Sequence, residues 1–125
     1  MQETIRRILL SHKDMRVECQ VLQEYFDRTP MPANNEKHRR LKELERTLSL
    51  VDKWLLLLSE DEHFVVQRHL LDEIDWFRIA IEYRCKWGEG YGKAERTLKR
   101  YQKSALSKIE RFMVGQKDIL DFPSV

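Results

Sequence analysis

Seven cations fall between residues 93 and 111: Lys93, Arg96, Lys99, Arg100, Lys103, Lys108 and Arg111, against only Glu95 and Glu110. Arginine can grip guanine O6 and N7 through two parallel hydrogen bonds, while lysine neutralises phosphate as a point charge. A segment this cationic suits a polyanion. Residues 59–75 carry the opposite bias, with Glu60, Asp61, Glu62, Asp72, Glu73 and Asp75 against Arg68. The net charge of all 125 residues is only +2. The attraction is therefore local rather than a general stickiness.

Other chemistry is poorly supplied. Gly88, Gly90 and Gly92 are spaced like a phosphate loop, but they follow a helical pattern and lack the Lys-Ser/Thr ending that a nucleotide site needs. His63 and His69, six positions apart, fall on different faces of a helix and make a poor metal pair. No Ser-His-Asp or Cys-His set is readable, so the expectation is a protein that is not an enzyme, with no cofactor, metal or small-molecule substrate. Cys19 and Cys85 have no framework spacing and read as free thiols of a reducing cytosol. Trp54, Trp76 and Trp87 read as core anchors rather than base-stacking platforms.

The elements that must position the cations are helices. With 42% hydrophobic and 35% charged residues but only 4 Gly and 3 Pro, the chain has few turns and long uninterrupted elements, which excludes sandwiches and barrels. Its longest apolar run is Trp54 to Leu58, too short for a membrane span. The N-terminus shows no signal-peptide pattern, so a cytoplasmic location is expected.

Ile5, Ile8, His12, Met15, Cys19, Leu22 and Phe26 alternate at three and four positions, which predicts one long helix from about Glu3 to Phe26. A linker over 27–37 follows, with Pro30, Pro32, Asn34 and Asn35. Leu41, Leu44, Leu48, Val51, Leu55 and Leu58 repeat the same alternation, widened by Leu50, Trp54 and Leu57. Two such seams can meet in an antiparallel hairpin or pair between chains. Ser59 is placed to cap a helix whose first turn holds Glu60, Asp61 and Glu62, which gives the acidic cluster a structural purpose. Asp75 caps the next helix, which carries Phe77, Ile79, Ala80, Tyr83 and Trp87, with Ile79 facing the core and Gly88 as its end. A last helix from about Lys93 to Val114 buries Leu98, Tyr101, Ala105, Leu106, Ile109, Phe112 and Met113, and Gly115 stops it.

The span from Leu58 to Phe112 resembles region 4 of sigma-70-type factors, and more closely the sigma-like phage transcriptional regulators of the RinA and ArpU type. The matching pieces are Leu58-Ser59-Glu60-Asp61-Glu62 with Val65-Val66, then Trp76-Phe77-Arg78-Ile79-Ala80. Glu95-Arg96-Thr97-Leu98-Lys99-Arg100-Tyr101 follows, with Ala105-Leu106-Ser107-Lys108-Ile109 behind it. In those families the Trp-x-x-Ile-Ala pattern marks the first helix of a helix-turn-helix, and the Arg-Thr-hydrophobic-x-Arg pattern opens its recognition helix. The resemblance implies sequence-specific binding of double-stranded DNA, with Lys93, Arg96, Thr97, Lys99, Arg100 and Lys103 as contacts. It implies a homo-oligomer or RNA polymerase as protein partner. Ala80 and Leu98 are eighteen positions apart, a longer connection than the family's tight turn, and Ala94 stands where a capping Ser is expected. The lengthened connection would add backbone contacts from Lys86 and Tyr91.

The expected organisation is therefore all-α: an N-terminal helical hairpin or coiled-coil arm over 1–58, a sigma-70 region 4-like helix-turn-helix module over 59–114, and a tail over 115–125. Residues 1–29 balance five cations against five carboxylates, so the arm is expected to dock or oligomerise rather than touch DNA. Two rivals remain at this level. One is a helical adaptor without a nucleic-acid role, using the Leu41–Leu58 seam. The other is a DNA-packaging protein like the small terminase subunit of phages, in which the arm builds a ring.

Overall fold

The computed structural model describes residues 1–29, 35–88, 90 and 93–115. The linker prolines, Tyr91 and Gly92, and the tail beyond Gly115 lie outside the described residues. The chain is all-helical: α1 (Gln2–Leu10), α2 (His12–Arg28), α3 (Asn35–Leu56), α4 (Glu60–Val66) running directly into a π-helical turn (Gln67–Leu71), α5 (Trp76–Trp87) and α6 (Glu95–Gly115). Among the described residues no helix is long and apolar enough to cross a membrane.

The single helix expected over Glu3–Phe26 is two. At Ser11 the ψ angle closes to −4°, and the Ser11 N–H is shared between the carbonyls of Arg7 at 2.9 Å and Ile8 at 3.2 Å. Such sharing tightens one turn towards 3₁₀ geometry. The break falls where the seam changes partner. Ile5, Ile8 and Leu9 are fully buried, and α1 lies on α6 and the π-helical turn, whereas α2 lies along α3. A seven-residue seam stays continuous only while one partner runs beside it.

Between α2 and α3 the two seams meet within the chain. Met15, Cys19, Leu44 and Val51 join one core cluster, with Leu22, Leu41 and Leu48 packed against it. Arg40 forks onto Glu18 at 2.9 and 2.8 Å. Both side chains are nearly half exposed, so the pair fixes register and adds only ~0–1 kcal/mol. The same cluster takes members from both sides of residue 58, because Trp54 and Val51 share it with Leu70, Leu106, Ile109 and Met113.

The caps read from the sequence are in place. Ser59 Oγ accepts from the Glu62 N–H and Glu62 Oε1 from the Ser59 N–H, a reciprocal capping box. Asp75 accepts from the Arg78 N–H at 3.0 Å. Gly88 closes α5 at φ 97°, a conformation L side chains rarely adopt. The helix from Ser59 does not stay α-helical to its end. The Asp72 N–H reaches back to the Gln67 carbonyl at 2.9 Å, and the wider turn carries both Leu70 and Leu71 into the core. Glu73 then reverses the chain at φ 57°, in the left-handed region.

Phe77 is 74% exposed. The Asp75 cap sets the phase of α5 so that Trp76, Ile79, Ala80, Tyr83 and Trp87 face inward at three- and four-residue spacing. Phe77, one position on from Trp76, is rotated about 100° off that stripe. A smaller cluster of Val65, Ile79, Tyr83 and Leu98 joins α4, α5 and α6, with Phe64, Trp76 and Trp87 at its margin.

Candidate nucleic-acid interface

The cations of α6 are displayed by whatever holds the opposite side of that helix. Leu98, Ala105 and Ile109 are fully buried, and Met113 is nearly so. Gln102 is buried as well, and it is satisfied because the His69 Nδ1–H donates to its Oε1 at 2.6 Å. His69 in turn stacks on Trp76, with ring centroids 3.9 Å apart. Burial lowers the pKa of His69 most; the bond to Gln102 raises it, and Arg6 and Lys99 lower it further.

A second tie fixes the middle of α6. Glu62, 4% exposed, accepts from Lys108 Nζ at 2.6 Å and from Ser104 Oγ at 2.6 Å, besides the Ser59 N–H. Burial alone would raise the Glu62 carboxyl, but the hydrogen bonds from Lys108, Ser104 and Ser59 outweigh it and bring the carboxyl down to about 2. A third tie holds α5: Arg68, in the π-helical turn, forks onto Glu82 with both bonds at 2.7 Å and also reaches Asp72 at 2.8 Å. Tyr83 OH donates to Asp61 at 2.5 Å. Burial, then the Asp61 bond and charge, push the Tyr83 hydroxyl well above its ordinary value.

With α6 held this way, Arg96, Lys99, Arg100 and Lys103 lie within an arc of about 100° on its exposed side. Lys93 is exposed just ahead of the helix, whose first turn starts from the Ala94 carbonyl, accepting from Thr97 and Leu98 at 2.9 and 3.2 Å. Of these five cations only Lys99 has a carboxylate partner among the described residues, Glu95 at 3.0 Å. That bridge joins two half-exposed side chains and is weak in water. Arg7, Arg28, Arg40, Arg68, Arg78 and Lys108 face carboxylates, whereas Arg39, Lys42, Arg46 and Lys53 on α3 are exposed and, like most of the α6 set, have no carboxylate partner among the described residues.

Arg96, Lys99, Arg100 and Lys103 share one exposed arc of α6, with Lys93 exposed just ahead of it. Thr97 is half-buried. Lys86 is exposed, with its ammonium over the rings of Trp87 at 4.6 Å and Phe64 at 5.2 Å. Tyr91 lies outside the described residues. Lys108, counted with the basic segment from sequence, is spent on Glu62. No sequence signal pairs residues 46 positions apart, and the same holds for His69 and Gln102.

The cleft between α2 and the π-helical turn does not collect a reactive set. It has a volume of about 620 Å³ and includes His12, Arg16, Cys19, Gln67 and Asp72 in its lining. Burial, then the carboxylates of Glu45 and Glu18, raise the Cys19 thiol, away from the thiolate a nucleophile requires. Burial and then Arg16 lower His12. Comparison of the chain with family models, curated proteins and solved structures finds no match.

Proposed function

We propose that this protein binds double-stranded DNA in a sequence-specific way, as a transcriptional regulator of bacterial or prophage type. It is a non-enzymatic, cytoplasmic protein in this reading and needs no cofactor. The module is a sigma-70 region 4-like helix-turn-helix: α4 with its π-helical turn supports it, α5 is the first helix and α6 the recognition helix. Helices α1 to α3 form the arm that docks on it.

One observation carries the reading: Arg96, Lys99, Arg100 and Lys103 share one exposed arc of α6, directly after Lys93, on a helix buried along its other side. A helix of that kind is what insertion into a major groove requires. The ties from Gln102 to His69 and from Ser104 and Lys108 to Glu62 support it too, because a reading helix must be held rigidly against its scaffold. The adaptor reading requires the Leu41–Leu58 seam to be free. Leu44, Val51 and Trp54 are buried against helices of the same chain, which favours DNA over a partner helix.

Replacing Arg96, Lys99 and Arg100 together with alanine is expected to lower affinity for duplex DNA at least tenfold while helical content stays the same. Gel-shift titration and circular dichroism on the same samples check this. Unchanged affinity in that variant would remove the recognition role from α6. The mass in solution separates the packaging reading, which needs a ring of protomers, from a regulator acting as monomer or dimer.

A further inference from the structure

The zero net charge of residues 1–29 hides how those charges are arranged. Helix α1 packs on α6, and Gln2 Nε2 reaches Ser107 Oγ at 3.5 Å. One turn along α1 from Gln2 stands Arg6 on the same flank. One turn back along α6 from Ser107 stands Lys103, and a further turn back stands Lys99. His69 is bonded to Gln102 of α6, and the charges of both Arg6 and Lys99 act on it, so Arg6 lies near the stretch of α6 that carries Lys99 and Lys103.

The rotation of α1 is fixed, since Ile5, Ile8 and Leu9 are fully buried. Arg6 is therefore held outward, and it is exposed. The acid nearest on its own helix, Glu3, is paired with Arg7 at 3.7 Å, so Arg6 has no carboxylate partner among the described residues. Packed helices stand about 8–10 Å apart, less than the ~12 Å width of the major groove. Duplex DNA seated on α6 would thus bring its rim against the start of α1.

We propose that Arg6 is a phosphate contact, and that α1 and α6 present one continuous surface to the backbone of duplex DNA. This rests on the DNA-binding reading above and revises the expectation that the arm stays clear of the nucleic acid. Arg6 positions the duplex and carries no base information, so its loss weakens all sequences alike.

The test is a salt series with mixed-sequence duplex DNA on the full chain, comparing wild type with Arg6→Gln, Arg6→Lys and Arg7→Gln. The Arg7 variant removes the same charge from the other flank of the same helix. Arg6→Gln is expected to weaken binding severalfold and to lower the slope of log affinity against log salt by about 0.9, the value of one phosphate contact. Arg6→Lys should keep the slope, and Arg7→Gln should resemble wild type. If wild type binds and Arg6→Gln matches either wild type or Arg7→Gln, the contact is overturned and the role of α6 stands. If wild type binds no duplex even at low salt, both fall together.

Discussion

Replacing Glu62 with glutamine is expected to cost about 3 kcal/mol of stability at pH 7 and almost nothing near pH 2. The Glu62 carboxyl is held at about 2, against an ordinary value of 4.5. Each unit of such a difference corresponds to about 1.4 kcal/mol, and the group is buried, so screening by water is slight. The sign follows from the direction of the shift. A carboxylate favoured by folding contributes fully above its unfolded value and loses that contribution as pH falls through 4.5 towards 2. Glutamine has no such titration, so the stability curves of wild type and variant should converge over that window. Urea unfolding at several pH values measures the difference directly. Parallel curves would mean that Lys108 and Ser104 do not hold Glu62 as an anion.

Replacing Trp54 with alanine should cost about 3–5 kcal/mol, the range for deleting a large buried side chain. Trp54 has no exposed surface, and its Nε1–H donates to Met113 Sδ at 3.2 Å. It lies where the end of α3 meets the end of α6, so alanine there opens a cavity between the arm and the helix that carries the cations. A domain of this size has only about 5–15 kcal/mol of stability in total, so the loss is a large share of it. Leu56, two residues on and 85% exposed, is the control: its alanine variant should differ from wild type by under ~0.5 kcal/mol. Guanidinium denaturation of the two variants checks both values. A cost below 1 kcal/mol at Trp54 would contradict the packing of α3 on α6.

What could be read from the sequence was local. Ser59 with Glu62, Asp75 and Gly88 mark helix ends through their own chemistry, and all three occur where that chemistry places them. The phase of α6 was readable too, because Leu98, Ala105 and Ile109 recur at helical spacing and leave Arg96, Lys99, Arg100 and Lys103 outside. What escaped depends on partners distant in the chain. The break at Ser11 comes from a seam that leaves one helix for another, and nothing within residues 5–26 announces the change. Lys108 resembles its basic neighbours until Glu62 is found beneath it. Arg6 was averaged away in a charge count, since a sum over a segment carries no direction.

In the proposed function, α6 meets the phosphate backbone of a duplex. That contact is tested most directly by the affinity of the wild-type chain for mixed-sequence duplex DNA across a salt series. Five exposed cations before and along α6, together with Arg6, each neutralising a phosphate, predict a straight line of log affinity against log salt with a slope of about −5. A flat line, or no binding at low salt, would mean that α6 does not meet the phosphate backbone.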